Sequence, residues 1–173
     1  SDYIDLSGIK DTNSTNTIYA DLKDSKDDKD SGNDIIIGSA GKDTMYGGSG
    51  NDKYYAGNGD TIEDDDKGEG SVYFNSNSPL TGGTYDKDKA CYVGGIYEYH
   101  LNGNTLIVTD TAKNESITIN NYSKKDKSLG IDLIEADEID IIISNATVTE
   151  GDESEPNKDG KAPYNTSTVS YTH

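Results

Sequence analysis

Apolar residues recur at regular intervals in the first third of the chain, each at the centre of a short β-prone segment. Ile36, Met45 and Tyr54 are nine residues apart, and Ile62 follows eight residues later. The residues between them are polar and rich in glycine. This pattern predicts short strands joined by tight turns, with the four apolar side chains stacked as a thin core.

The turns repeat with the same phase as the strands. Gly32, Gly41 and Gly50 are nine residues apart, and an aspartate follows each of them two residues later. Written as G-G-x-G-x-D-x-U-x, with U a large apolar residue, the repeat occupies the segments 29–37, 38–46, 47–55 and a shortened 56–62. Upstream, Ile18 lies two repeats before Ile36, Asn16 occupies the aspartate position, and 20–28 keeps the register without its glycines.

This nonapeptide resembles the calcium-binding repeat of the RTX (repeats-in-toxin) family over roughly residues 16–66. The resemblance implies an all-β fold that starts as a short right-handed parallel β-roll, in which two repeats form one coil. A core of a few side chains cannot offset the backbone entropy of some fifty residues, so bound metal is expected to supply the missing stability. Calcium suits the turns because it binds carboxylate and carbonyl oxygens.

In the family's β-roll, each ion lies between turns that are stacked one coil apart. The resemblance therefore pairs Asp34 with Asp52 on one edge and Asp43 with Asp60 on the other, and implies about two to three Ca²⁺ ions. A third site between 20–25 and 38–43 lacks the repeat's glycine and aspartate, which are replaced by Lys23 and Ser25. The turns offer further candidate ligands: Ser31, Gly32, Asn33, Gly38, Ala40, Lys42, Gly47, Ser49, Asn51 and Asn58.

An acidic run, Glu63–Asp66 with Glu69, follows the last repeat. It is interpreted either as a solvated loop or as a cap, in which Asp64 or Asp66 completes the last calcium site in place of a missing turn.

From Ser71 the nine-residue period ends and antiparallel strands are predicted over residues 71–144. Residues 96–110 read as a hairpin with an Asn102-Gly103 turn, and 115–123, 129–135 and 139–144 read as further strands. This part is similar to the β segment that follows the repeats in RTX haemolysins and is expected to cover the open end of the roll. Residues 1–15 are interpreted as a lead-in, 16–70 as the roll, and 145–173 as a linker or truncated end.

The composition of the chain argues against several classes of function. The chain has 33 acids, 15 lysines and no arginine, and its net charge of −18 argues against binding nucleic acid or an anionic membrane surface. No apolar run approaches the roughly 20 residues of a membrane-spanning helix. No Ser/His/Asp, Cys/His or zinc motif is present, so an enzyme is not expected. Cys91 and His100 are interpreted as structural or exposed strand residues, and Tyr97, Tyr99 and Tyr122 as core rather than a sugar platform.

The predicted function is a calcium-dependent folding module of a secreted bacterial RTX protein, a toxin or related exoprotein. The resemblance implies export by the type I secretion machinery and folding in extracellular calcium; the first ten residues lack a signal-peptide pattern, which agrees with that route. The alternative is an adhesin or surface-layer segment, extracellular or at the cell surface, whose second half binds a host-surface glycan, protein or peptide.

Overall fold

The computed structural model describes residues 1–20, 32–64 and 69–136 and two short strands, 148–149 and 168–169. These residues form an all-β structure with one short 3₁₀ helix, Ser128–Gly130. None of the described segments forms a helix long and apolar enough to cross a membrane. The strands are β1 (Tyr3–Asp5), β2 (Thr15–Tyr19), β3 (Ile35–Ile37), β4 (Lys42–Tyr46), β5 (Lys53–Ala56), β6 (Thr61–Glu63), β7 (Ser71–Phe74), β8 (Gly82–Asp86), β9 (Cys91–Gly94), β10 (Tyr97–Asn102), β11 (Thr105–Asp110), β12 (Glu115–Asn120), β13 (Asp132–Ile134), β14 (Val148–Thr149) and β15 (Thr168–Val169).

The strands of the repeat segment alternate between two parallel stacks. One stack has the order β1-β3-β5-β7 and the other contains β2, β4 and β6. In the first stack Ile36 lies opposite Tyr54, and Tyr54 opposite Val72, so that paired residues are separated by two full nonapeptides. In the second stack Met45 lies opposite Ile62, a separation that is shorter by a single residue. Two nonapeptides therefore return the chain to the same stack, and the shortened fourth repeat accounts for the shorter step.

The interior of this region is formed by one apolar residue from the middle of each strand. Ile36, Met45, Tyr54 and Ile62 all have 0% exposure, which confirms the predicted core. Val72 extends it with the same complete burial. Because each strand has only three to five residues, it contributes one or two inward side chains, and the core is correspondingly thin.

The upstream strand β2 keeps the predicted nonapeptide phase but lies in the other stack. The sequence pattern places Ile18 one coil before Ile36, but β2 pairs with β4 and Ile18 lies opposite Met45, three nonapeptides further along the chain. The place beside β3 is taken instead by β1, in which Ile4 lies opposite Ile36. A strand from outside the periodic segment thus occupies the position that the repeat spacing assigns to Ile18.

The remaining strands continue the second stack as a nine-stranded sheet of order β13-β8-β9-β10-β11-β12-β6-β4-β2. Strands β8 to β12 are antiparallel neighbours, as predicted. The prediction that the whole second half is antiparallel is wrong for β7 and β13, which pair in parallel with β5 and β8. Strand β12 also pairs in parallel with β6, and this pair joins the two sets of strands.

The predicted hairpin is present as β10 and β11, but its turn is one residue further along the chain. Asn102 pairs with Thr105, so Gly103 and Asn104 form the turn. Gly103 has a φ of 63°, and a glycine with positive φ at the first turn position is typical of the tight hairpin turns that match strand twist. Tyr99 and Tyr122 are buried and Tyr97 is half-buried, which confirms that these tyrosines belong to the core.

Residues 1–134 form one compact unit. Residues 135–173 are a second unit, in which the described strands β14 and β15 pair antiparallel. The predicted strand at 139–144 lies outside the described residues. The segment boundaries predicted after residues 15, 70 and 144 stay predictions.

Candidate metal centre

Four aspartates are buried where the glycine-rich turns meet the strands. Asp34, Asp52 and Asp60 directly precede β3, β5 and β6, and Asp43 is the second residue of β4. Their exposure is 1% or less. Burial of a charged carboxylate is unfavourable unless hydrogen bonds or a cation compensate it. The partners of each carboxylate therefore decide what these turns can do.

On the first edge, backbone amides and carboxylates form a ladder across three layers. The backbone N–H of Asp34 donates to Asp52 Oδ1 at 2.8 Å, across one coil. The N–H of Asp2 donates in the same way to Asp34 Oδ1. The other oxygen of Asp34, Oδ2, is buried and accepts no hydrogen bond from the described residues. This edge thus brings Asp34 and Asp52 together and leaves a buried carboxylate oxygen available.

The second edge has the same arrangement. The N–H of Asp43 donates to Asp60 Oδ1 at 2.9 Å, and the N–H of Gly57 donates to Asp60 Oδ2 at 2.7 Å. A Cβ at Gly38 would lie 2.9 Å from Asp60 Oδ2 and 3.0 Å from Asp43 Oδ2, so the two carboxylates border the same small space. The structure therefore brings this predicted pair together too.

Glycine is required where the turns of successive coils approach each other. Gly50 has a φ of 136°, and a side chain there would overlap the carbonyl oxygen of Gly32 in the neighbouring turn. A methyl group at Gly47 would overlap the Asp52 carboxylate and the Tyr54 hydroxyl. These two positions explain why the complete repeat keeps its glycines: the space beside the carboxylate must stay open.

Asp64 follows β6 and lies beside the first edge. It is 5% exposed, and its Oδ2 accepts a hydrogen bond of 3.0 Å from the Tyr54 hydroxyl. Burial and the nearby carboxylates of Asp64 and Asp52 raise the pKa of Tyr54, so this hydroxyl stays protonated. Asp64 is thus a buried carboxylate next to Asp52 rather than part of a solvated loop. Asp66 lies outside the described residues.

The other predicted ligands surround these carboxylates. Three of the predicted glycine ligands are buried: Gly32, Gly38 and Gly47. The remaining described candidates are more exposed, and Ser31 lies outside the described residues. Asn33 Oδ1 accepts from the N–H of Asn51 at 2.8 Å, and Asn58 Oδ1 from the N–H of Ser116 at 3.0 Å. These two asparagines connect neighbouring layers through backbone amides. The exposed or half-exposed candidates are Asn33, Ala40, Lys42, Ser49, Asn51 and Asn58.

The family model of the RTX calcium-binding nonapeptide repeat (4 copies) matches residues 30–62. This segment is an RTX repeat. No curated protein and no solved structure shows a significant match to the chain. The matched residues contain the four buried aspartates and both turn edges described above.

The residues of the RTX turns fit calcium. All candidate donors are oxygens, which hard divalent cations prefer, and Asp34 Oδ2 is a buried acceptor without a donor among the described residues. The pKa of Asp60 is raised to about 6, mainly by burial and also by the neighbouring Asp43 carboxylate, although two backbone hydrogen bonds lower it. Ionisation of Asp60 therefore disfavours the metal-free fold above its ordinary pKa, and this cost disappears when a cation compensates the charge.

Residues upstream of the repeats also contact the RTX turns, and not all of them have a periodic signal in the sequence. Asn16 Nδ2 donates to Asp43 Oδ1 at 2.6 Å and to Ser39 Oγ at 3.1 Å. The carbonyl of Ser14 accepts from the N–H of Lys42 at 2.9 Å. Asn16 occupies the aspartate position of the pattern, but Asp2 and Ser14 carry no periodic signal. The segment 11–16 therefore lies next to the turn 38–43. The third site considered from the sequence pattern would lie between this turn and residues 20–25. Residues 21–25 lie outside the described residues.

Proposed function

We propose that this chain is a calcium-dependent structural module of a secreted bacterial RTX protein, and that its repeats fold when they meet extracellular calcium. The observation that carries the proposal is the burial of four aspartates at the turns of a chain with a net charge of −18. Residues 1–70 alone contain 17 acids and seven lysines, so that self-repulsion opposes their compaction. Calcium supplies positive charge and 6–8 oxygen contacts when bound.

The repeats are proposed to form a right-handed parallel β-roll, with the strands β8 to β13 covering its C-terminal end. Support comes from the two parallel stacks, in which strands two repeats apart pair with their apolar residues in register. Further support comes from the contacts at β6, where the N–H of Thr118 donates to the Asp60 carbonyl at 2.9 Å and the N–H of Gly59 to the Ser116 carbonyl at 2.7 Å. These bonds pair what would otherwise be the open edge of the last repeat.

The chain's own residues would act in two ways. Asp34, Asp52, Asp43 and Asp60 would hold calcium through their carboxylate oxygens, and Asp64 would complete the last site on the first edge. In the folded repeats the amide ladder orients these carboxylates. Export through a type I secretion machinery and a role in a toxin or related exoprotein are part of the proposal, as is a structural rather than a catalytic role. Extracellular calcium modules bind at about 10⁻⁴–10⁻³ M, which would keep the module unfolded before export.

A calcium titration of the chelator-treated chain, followed by far-UV circular dichroism, tests this function. β structure should appear with calcium and disappear on chelation. Magnesium should replace it poorly, because magnesium requires tight octahedral geometry and retains its water. A β signal that is the same in chelator and in calcium would contradict the proposal.

The adhesin alternative has less support, because the tyrosines of its candidate sugar platform are buried or half-buried. Tyr99 and Tyr122 are 1% and 3% exposed, and the hydroxyl of Tyr97 donates to the Phe74 carbonyl at 2.6 Å. The rings of Tyr99 and Tyr122 lie in the core and Tyr97 packs against it, which does not favour a sugar platform.

A further inference from the structure

Three side chains with different metal-binding atoms meet on the β9–β10 hairpin, far along the sequence from the RTX turns. They are Cys91 on β9 and Glu98 and His100 on β10. The Cys91 sulfur, a Glu98 carboxylate oxygen and a His100 imidazole nitrogen all lie within 4.8 Å of one another. No other such group of three or more occurs among the described residues.

The strand register explains why these residues meet. Glu98 pairs with Val93 and Tyr99 with Tyr92, so the same register places His100 opposite Cys91. Glu98 and His100 are two residues apart on one strand and share a face of the sheet. A regular antiparallel pair therefore presents sulfur, oxygen and nitrogen from neighbouring positions, without a contribution from a flexible loop.

We propose that Cys91, Glu98 and His100 bind one zinc-type divalent ion, separate from the calcium sites. Thiolate and imidazole are ligands of zinc and related transition metals, whereas calcium binds oxygen alone. Three protein ligands leave the fourth tetrahedral position for water. The thiol proton passes to solvent as the sulfur–metal bond forms, and the resulting thiolate and carboxylate balance the two charges of the ion.

Small movements are enough to close the site. Tetrahedral zinc with ordinary bond lengths separates its ligand atoms by about 3.4–3.6 Å. Cys91 is buried, while the side chains of Glu98 and His100 are 23% and 47% exposed and can rotate toward it. Glu98 Oε1 accepts from Lys89 Nζ at 2.7 Å, an exposed ion pair of small expected free energy that the metal can replace.

Cobalt and zinc titrations of the full chain in saturating calcium test the site. Cobalt should give one equivalent with a thiolate-to-metal charge-transfer band, and zinc should displace it. Cys91→Ser should abolish this band, and His100→Gln should weaken binding at least about tenfold. His173→Gln is the matched control, because it removes the chain's only other histidine and should leave the affinity unchanged.

The metal titrations test the zinc site independently of the proposed calcium sites. Circular dichroism in calcium verifies that each variant is folded, and the exposed His100→Gln provides the test if Cys91→Ser misfolds. Absence of a charge-transfer band in the folded chain would overturn the zinc site, as would equal affinities of the His100→Gln and His173→Gln variants. Neither result would affect the calcium dependence of the RTX repeats, since calcium is kept saturating throughout.

Discussion

Two regions of the molecule differ in the hydrogen bonds that their buried aspartates accept. They are the parallel region, residues 1–74, and the antiparallel region, residues 80–134. In the antiparallel region Asp110 is 1% exposed, and both its oxygens have protein donors. Its Oδ1 accepts from the N–H groups of Ala112 and Lys113 at 3.0 and 3.2 Å, and its Oδ2 from Asn75 Nδ2 at 3.1 Å. In the parallel region Asp34 Oδ2 is equally buried and has no such donor among the described residues.

This difference indicates that different interactions stabilise the two regions. The described antiparallel strands contain cross-strand apolar pairs such as Leu106 and Ile119, which lie opposite each other and are both buried. The parallel region has a thin core and buried aspartates at its turns, and the proposed calcium would supply the stability that the core lacks. The two regions are nevertheless joined through β6 and β12, and part of the effect of calcium should cross that junction.

The largest expected effect is the response of the two regions to chelation. Amide hydrogen exchange of the full chain, with and without chelator, should show protection of residues 32–64 falling by at least about tenfold, because local unfolding there no longer costs the calcium-binding free energy. The β10–β11 hairpin should lose less, and β12 should be intermediate since it pairs with β6. Equal loss in both regions would show that the molecule unfolds as one unit.

Single carboxylates should separate specific sites from diffuse charge. Asp52→Ala removes a buried carboxylate from the complete repeat and is expected to raise the calcium midpoint of folding about tenfold, at least as much as Asp43→Ala. Asp24→Ala, in the degenerate repeat, removes the same charge and should change the midpoint little. The midpoints come from calcium titrations followed by circular dichroism. Equal shifts in all three variants would mean that the acids act only through net charge.

Two glycines test whether the space beside the carboxylates matters. Alanine at Gly47 would collide with Asp52 and the Tyr54 hydroxyl and should lower the free energy of unfolding by about 1–3 kcal/mol. Alanine at Gly57 meets no atom closer than 3.8 Å and should change it by less than about 0.5 kcal/mol. Urea unfolding in saturating calcium measures both. If Gly57→Ala destabilises as much as Gly47→Ala, the backbone conformation of the turns rather than the crowded carboxylate explains the repeat's glycines.

The sequence predicts what is periodic and local, and fails where pairing is distant. Ile36, Met45, Tyr54 and Ile62 are predictable as core because each repeat places its apolar residue identically. The bond from Asp2 to Asp34 joins distant parts of the chain without a periodic signal, so the strand beside β3 could not be predicted.

The same limitation applies to the hairpin site. Cys91 and His100 are isolated residues in the sequence. Their approach depends on the register of β9 against β10, which neither side chain reveals by itself.

The smallest expected effect compares two buried tyrosine hydroxyls, one in each region. The Tyr54 hydroxyl donates to the Asp64 carboxylate at 3.0 Å, and the Tyr122 hydroxyl donates to the Ile131 carbonyl at 2.9 Å. Phenylalanine at either position removes one hydrogen bond and should lower the free energy of unfolding by about 1–2 kcal/mol, with the larger loss for the charged acceptor. Only Tyr54→Phe should also shift the calcium midpoint, because it alone changes the environment of a proposed ligand. Calcium titrations of both variants measure this, and the shift should remain after correction for the stability loss measured in urea. If the corrected midpoints of the two variants agree, Asp64 does not contribute to the last calcium site.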